Sequence, residues 1–570
     1  MLAYDRPQLK AALPRSHTTL SVWIKQAYAD RHIEVKEKLL LAKSKLHISC
    51  DIWSSSNGFS LLGVVAHFLD ENHKQQTALL GLPRLRGSHS GVNIAETLAT
   101  IIQKYDISFK LGYFQMDNAS NNNTCIDHLA TLLPLPMKAH LRCMGHIINL
   151  VVQAILFGKG INTSKRELLG CSDKDRFTLW KQLHAIGKIH NTVRDILRSE
   201  ARRRDFAECQ QEAAFEDELF DWVELMLVVD GGVRWNATYY MLRRARKLRR
   251  AIDIYQKRHI DAPLNAEEYD HTADVLTEED WTEVDRFLKL LKPFEVITKD
   301  LEGNARQGSY GAVWEAFTSM NYLSDILIKE EATVKAELAS GYKGGVIMGL
   351  QKINEYWAVM RENPVYASAV ILNLMLKYEW FVDHWRKFPK WASAVKARME
   401  SLFKDYVVAN EDEDEAMEEE EEDELDETRR RKRPCSHSDD SDNEDTNWRD
   451  LSLTVDTSYT ASSRSRKKVK IQNELQRYYD DGLVSKKVIN KDYSGDLILW
   501  WTKHEAIYPT LARMAFDLFS VPATSSECER VFSQTKKLVT DERNRLLADT
   551  IEADECQKNW LRNGIVRRRQ

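Results

Sequence analysis

The sequence predicts an α/β chain: a mixed sheet broken by a large all-helical insertion, with C-terminal helices returning to complete the core. Three observations carry this. Residues 46–156 alternate strand-like and helix-like runs. Residues 157–408 carry helical stripes throughout. Residues 471–570 turn helical again beyond a segment too charged to fold.

In order, residues 1–45 form an N-terminal helical segment. LHISCDIWSS alternates Leu46, Ile48 and Cys50 on one face, as a strand does. The run from Phe59, FSLLGVVAHFL, is continuously apolar and predicts a strand covered on both faces. HKQQTALLGLPRL supplies a third strand, with turns at Asn57-Gly58 and at Asp70 to His73. SGVNIAETLATIIQKY is an amphipathic helix through Val92, Ala95, Leu98, Ile102 and Tyr105. FKLGYFQM is a fourth strand, and LRCMGHIINLVVQAILF a short strand running into an apolar helix. Three strands, helix, strand, helix, strand, helix is the ribonuclease H-like arrangement. In the insertion, Trp281, Val284, Phe287, Leu288 and Leu291 share a stripe, and Pro293 is expected to kink or end that helix.

The segment 409–470 is a linker by composition. Glu411 to Glu427 holds 14 acids and no base, so the −5 net charge conceals a net basic remainder. That balance permits a polyanionic partner. The basic clusters Arg429 to Pro434 and Ser462 to Lys470 read as nuclear-import signals, which predicts a nuclear location. No run of eighteen apolar residues exists, so no membrane contact is expected. Eight scattered cysteines without a CxxC point to reduced thiols.

The candidate chemistry lies in carboxylates. Asp51 closes or nearly closes the first strand, and Asp117 closes the fourth. In a sheet of this kind those strands are parallel neighbours, so the two acids meet. Adjacent carboxylates repel unless a cation joins them, and magnesium prefers hard oxygen ligands. An Asp or Asn after a strand is more often a simple turn former. PATSSECERVFSQTKKL offers a third acid, either Glu527 or Glu529, on the two flanks of a stripe formed by Cys528, Val531, Phe532, Thr535 and Leu538. Periodicity does not choose between them.

These blocks together resemble the hAT superfamily of DNA transposases. DIWSSS and MDNASNN are similar to its two aspartate blocks, and RCMGHIINLVV (Arg142 to Val152) to its Cys-x-x-His block. VRWNATYYML (Val233 to Leu242) and Pro522 to Leu546 resemble its Arg-Trp-Asn block and its C-terminal dimerisation region. The resemblance implies Asp51, Asp117 and Glu529 as catalytic acids holding Mg²⁺ (or Mn²⁺). It implies cleavage of double-stranded DNA at transposon ends, hairpins on flanking DNA, strand transfer to a target, and a homodimer or larger homo-oligomer. It implies DNA contacts for His146 and Arg234, and a base-stacking role for Trp235, which by pattern alone is equally a core residue. Arg243, Arg246, Lys247 and Arg250 line the polar side of the next helical run and are expected to contact phosphates. Cys143 and His146 lack a second pair of ligands, so packing and hydrogen bonding are expected of them rather than zinc binding. Members of the family usually begin with a BED-type zinc finger, and Met1 falls downstream of where one is expected. A catalytically silent, domesticated descendant that dimerises and binds DNA is the alternative expectation.

Overall fold

A computed structural model describes residues 14, 16–55, 58–157, 184–216, 223–230, 235–260, 271–303, 311–337, 341–409, 474–539 and 546–567. The expected linker beyond residue 409, its two basic clusters, Arg234 and Asn57 lie outside them.

Five strands form one mixed sheet: β1 (Leu46–Ser54), β2 (Ser60–Leu69), β3 (Gln75–Gly81), β4 (Leu111–Met116) and β5 (His140–Arg142), in the order β3-β2-β1-β4-β5. β1 pairs with β2, and β2 with β3, antiparallel; β4 pairs in parallel with β1 and with β5. Every residue of β2 after Ser60 is buried, as its unbroken apolar run requires. The turn after it is held by Asp70, whose carboxylate accepts the Asn72 and Lys74 amides.

The helices around the sheet are α1 (His17–Leu40), α2 (Gly91–Lys104), α3 (Ser120–Leu132) and α4 (Met144–Phe157). Ser16 and Ser90 cap α1 and α2 with their hydroxyls. Ile94, Ala95, Leu98 and Ile102 of α2 point inward, whereas Val92, expected inward, is exposed in the first turn. Gly91 lets α2 and α3 touch: a Cβ there would stand 2.4 Å from the Asn121 carbonyl oxygen.

The described residues from 184 to 409 are mostly helical, with 223–230 irregular. They include α5 (His184–Leu197), α6 (Glu200–Glu216), α7 (Trp235–Lys247), α8 (Arg249–Ile260), α9 (Glu278–Glu302), α10 (Val313–Val334), α11 (Gly341–Glu362) and α12 (Pro364–Leu372). Pro293 does not end α9, which runs through it. Buried Trp281, Val284, Phe287 and Leu291 before the proline, and Phe294 and Leu301 after it, hold both halves against one core, so packing outweighs the lost backbone bond. Shorter helices lead on to α13 (Pro509–Ser520), α14 (Ser526–Leu538) and α15 (Ala548–Arg562).

The chain has two cores. One joins α4, the insertion and α13; the other joins the sheet to α1, α2, α3, α14 and α15. Residues from both ends of the sequence thus finish the sheet. α15 shields the edge strand β3: Asn559 accepts the Leu79 amide, Trp560 donates to the Leu79 carbonyl (2.8 Å), and Asn563 donates to that of Thr77. Leu511, Met514, Phe516, Phe519 and Trp560 are all buried within the chain, Trp560 in the core of the sheet. Among the described residues no helix is long and apolar enough to cross a membrane.

Candidate functional site

The site grows from the β1–β4 pairing. Ile48 pairs with Phe114 and Ser49 with Gln115. The paired register ends there, and Asp51 and Asp117 each follow it by two residues along neighbouring parallel strands. β1 itself continues to Ser54, so Asp51 lies within the strand rather than at its end. What ends before Asp51 is the pairing with β4, because the chain turns into α3 at Asp117. Both aspartates are half-buried. Burial chiefly raises the Cys50 thiol between them, with the thiols of Cys125 and Cys528 and then the charges of Asp51 and Asp117 adding to the effect.

Asp117 has an ordered shell. Its Oδ1 accepts the Ala119 amide at 2.9 Å and the Asn122 side-chain amide. The asparagine run is therefore local support: Asn122 braces the carboxylate, and Asn123 accepts from Arg142, the last residue of β5, at 2.8 Å. The Asp51 Oδ1 accepts the amide of Ile52 at 2.8 Å.

The third acid arrives on α14, which lies across β1 and β2. The Cys528 thiol sits 3.5 Å from the Ser49 carbonyl oxygen and 3.7 Å from that of Gly63, the residue paired with Asp51. Ser49 in turn hydrogen-bonds His67 at 2.8 Å. Phe532 stacks on Trp53 with ring centroids 5.9 Å apart. After burial, the charge of Asp51 is the next influence raising the Cys528 thiol, and those of Glu527 and Glu529 also contribute. Glu527 is buried and paired with Arg530, whose guanidinium also donates to the carbonyl oxygens of Glu302 and Gly303 at the end of α9. Glu529 is half-buried.

The loop before α14 is stitched to the same place. The Ala523 carbonyl accepts the Gln115 side chain and the Met144 amide, both at 3.0 Å. The Cys143 amide donates to the Met116 carbonyl, its thiol accepts from the Ser525 amide and hydroxyl at 3.4 Å, and the amide of His146 also donates to it. Cys143 therefore joins β4, α4 and α14 by hydrogen bonds, in line with a packing role for this pair. His146 is half-buried in the first turn of α4. Ser49, His67 and Arg530 were not foreseen; their partners lie far away in sequence, where local patterns carry no signal.

Sheet, α4 and α14 thus bring Asp51, Asp117, Glu529 and His146 to one region. Their donor chemistry, hard carboxylate oxygens on adjacent elements, suits a divalent ion. The carboxylates do not close into a cage: among the described residues no group of three or more His, Cys, Asp or Glu is placed to hold a metal ion.

The remaining expected DNA contacts belong to the insertion. Trp235 is buried, 2% exposed, so its ring is core and offers no free face for stacking; covering by the surrounding helices is the physical reason. Arg243, Arg246 and Arg250 are ion-paired with Glu295 (3.5 Å), Asp285 (2.7 Å) and Glu216 (2.8 Å). The expected open basic face is thus largely neutralised by acids of α6 and α9, which the sequence of α7 and α8 alone does not reveal. Lys247 is exposed. The exposed pairs of Arg246 and Arg250 contribute only about 0–1 kcal/mol each, whereas Glu295, the partner of Arg243, is buried.

Comparison with known proteins adds three family matches. Residues 474–561 match the hAT family C-terminal dimerisation region, residues 141–290 the ZBED1 RNase-like helical domain, and residues 49–146 the ZBED1 RNase-like domain. The chain is 26% identical to a Talaromyces stipitatus protein described, by name alone, as the transcriptional regulator tpeD, over 91% of this chain and 54% of that protein. It is 23% identical to a Zea mays protein described, by name alone, as an AC transposase, over 96% of this chain and 60% of that protein. It is 22% identical to the zinc finger BED domain-containing protein RICESLEEPER 2 of Oryza sativa, over 92% of this chain and 67% of that protein. The chain thus spans little more than half the length of the first two of these relatives.

Proposed function

The chain belongs to the hAT family, and from that premise we propose that it is a metal-dependent DNA-cleaving and strand-transferring transposase that acts as a homo-oligomer. The observation that carries the reading is that Asp51 and Asp117 each follow the last paired residues of neighbouring parallel strands by two positions, with the helix of Glu529 lying across β1. The strand order and the two RNase-like matches support a ribonuclease H-like core interrupted by the helical insertion and completed by the C-terminal helices.

In this reading Asp51, Asp117 and Glu529 hold Mg²⁺ or Mn²⁺, which when bound supplies positive charge to the scissile phosphate and acidity to the attacking hydroxyl. The chain itself supplies position. Asn122 and the Ala119 amide fix the rotamer of Asp117; Cys528 seats α14 on β1 and β2; Cys143 joins β4, α4 and α14. His146, Arg243, Arg246, Lys247 and Arg250 are the proposed DNA-contacting residues, with Arg246 and Arg250 exchanging exposed carboxylates for phosphates. The proposed location is the nucleus, where that DNA resides.

A second reading is favoured by one observation: the three acids do not converge into a ready metal cage. Under it the chain is a catalytically silent, domesticated descendant that dimerises and binds DNA. Nicking of duplex DNA in Mg²⁺ separates the two. The transposase reading expects nicking that falls more than about a hundredfold in Asp117→Ala. Equal nicking by both proteins, or none by either across end-containing substrates, favours the silent descendant.

A further inference from the structure

We propose that Arg84 and Arg86, on the loop between β3 and α2, grip phosphates of duplex DNA beside the Asp51–Asp117 edge of the sheet. The proposal rests on the DNA-cleaving reading above and names residues that position its substrate.

Strand direction brings this loop to the site. β1, β3, β4 and β5 run the same way, since β2 is antiparallel to both β1 and β3. Their C-terminal ends therefore share one edge, where β4 gives way to Asp117 and near which Asp51 lies. The segments that leave this edge are residues 82–90 after β3, 117–119 after β4 and Cys143 after β5. Between residues 73 and 157 the carboxylates are Glu96, Asp106, Asp117 and Asp127. Glu96 and Asp127 lie within α2 and α3, and Asp106 follows the far end of α2, where it pairs with Lys36. Asp117 is thus the one acid of the three edge segments, which also carry Arg84, Arg86 and His89.

The loop is fixed at both ends while its cations stay unpaired. The Leu85 amide donates to the Ser60 carbonyl at 2.8 Å, and Arg84 bridges to Leu61. Asn93 of α2 donates to the carbonyls of Arg86 and Ser88 at 2.9 and 2.8 Å, and Gly87 takes the left-handed turn between them at φ +84°. At the other end the side chain of Asn121, in the first turn of α3, donates to the His89 carbonyl at 3.0 Å. Arg84 and Arg86 are exposed, and among the described residues neither is ion-paired with a carboxylate. Arg84 lies over the Phe59 ring, 4.3 Å from its centroid, which orients the guanidinium and leaves its donors for a phosphate. α7 and α8 differ: there Arg243, Arg246 and Arg250 each face an acid. Counterion release from DNA needs charge that no carboxylate already neutralises, so the loop is the stronger phosphate contact. Arg84 bridges Leu61, which pairs with Trp53, so it stands two strand spacings, about 10 Å, from β1. At about 3.4 Å per nucleotide of one strand, it meets a phosphate about three nucleotides from the one beside Asp51.

Fluorescence anisotropy of a labelled duplex of arbitrary sequence, over a salt series and without divalent metal, tests this with the full chain. The variants are Arg84→Ala/Arg86→Ala, Arg84→Lys/Arg86→Lys and Lys43→Ala/Lys74→Ala. The last removes two exposed cations that precede β1 and β3, at the opposite edge of the sheet. The expected result is a salt slope shallower by about 1.8 and binding at least about fivefold weaker in the alanine variant, with the lysine and opposite-edge variants within about twofold of wild type. Phenylglyoxal labelling of wild-type arginines, read by mass spectrometry, is independent of any variant. Added duplex should shield Arg84 and Arg86 and leave Arg386, exposed in the insertion, labelled. An alanine variant with the wild-type slope, an equal loss in the opposite-edge variant, or unshielded Arg84 and Arg86 overturns the proposal, while nicking that Asp117→Ala abolishes leaves the cleavage reading standing. A wild-type chain that binds no duplex at any salt overturns that reading, and this contact with it.

Discussion

Glu527 and Glu529 are two residues apart and meet different surroundings. Glu527 is buried against Arg530, which ties α14 to the end of α9. Removing that charge leaves a part-buried guanidinium without its partner, at a cost of about 1–3 kcal/mol. Glu527→Gln is therefore expected to lower the urea midpoint while its folded fraction keeps nicking DNA. Glu529→Gln is expected to keep the midpoint within about 0.5 kcal/mol and to lose nicking. Helical periodicity placed both acids on the flanks of one stripe and was unable to separate them. What distinguishes their surroundings is the contact of Arg530 with Glu527 and with carbonyls at residues 302 and 303, beyond the reach of any local pattern. Trp235 teaches the converse: a tryptophan beside a basic helical run fits a stacking platform or a core, and only its covering by neighbouring helices decides.

At the scale of elements, the site depends on how closely α14 lies on the strands. Gly63, opposite Asp51 on β2, makes that approach possible: a Cβ there would stand 2.9 Å from the Phe532 ring. Gly63→Ala is expected to cost about 1–3 kcal/mol by overpacking and, in the fraction that folds, to weaken nicking by moving Glu529 relative to Asp51. Full activity together with unchanged stability would mean that the seating of α14 does not matter. The strands themselves were legible because β1 alternates and β2 is continuously apolar, two patterns with distinct physical causes. Asp51 was expected at or near the end of β1, which runs on to Ser54. It lies where the pairing with β4 stops, since that limit is set by where the partner strand turns away. That α9 continues past Pro293 was not legible, because burial on both sides of it is a tertiary fact.

At the scale of the whole molecule, two buried histidines, His47 and His67, link stability to acidity. Burial first, then nearby positive charge, holds each imidazole neutral, lowering its pKa from 6.5 to about 3. The His67 Nδ1 is buried without a hydrogen-bond partner among the described residues, so a second proton there would be unpaired. The unfolded chain takes up these protons below about pH 6.5 while the folded chain refuses them until about pH 3. Stability is therefore fully present above that window and falls as pH drops through it, by up to about 1.4 kcal/mol per pH unit for each histidine. Urea midpoints at descending pH should show this slope, shallower in His67→Gln; an unchanged slope would contradict it. The order of elements, and with it the sheet, was readable along the chain. The return of C-terminal helices to the core was expected; that α15 covers the edge strand β3 and α1 packs on α15 was not, because nothing in either helix names its partner. The central claim is that Asp51 and Asp117 act as one metal-holding pair. Binding of Mn²⁺ to the full chain, followed by electron paramagnetic resonance, tests it most directly. The account predicts binding that Asp51→Asn and Asp117→Asn each weaken at least about tenfold, with Glu527→Gln unchanged. Equal binding by wild type and both aspartate variants would contradict it.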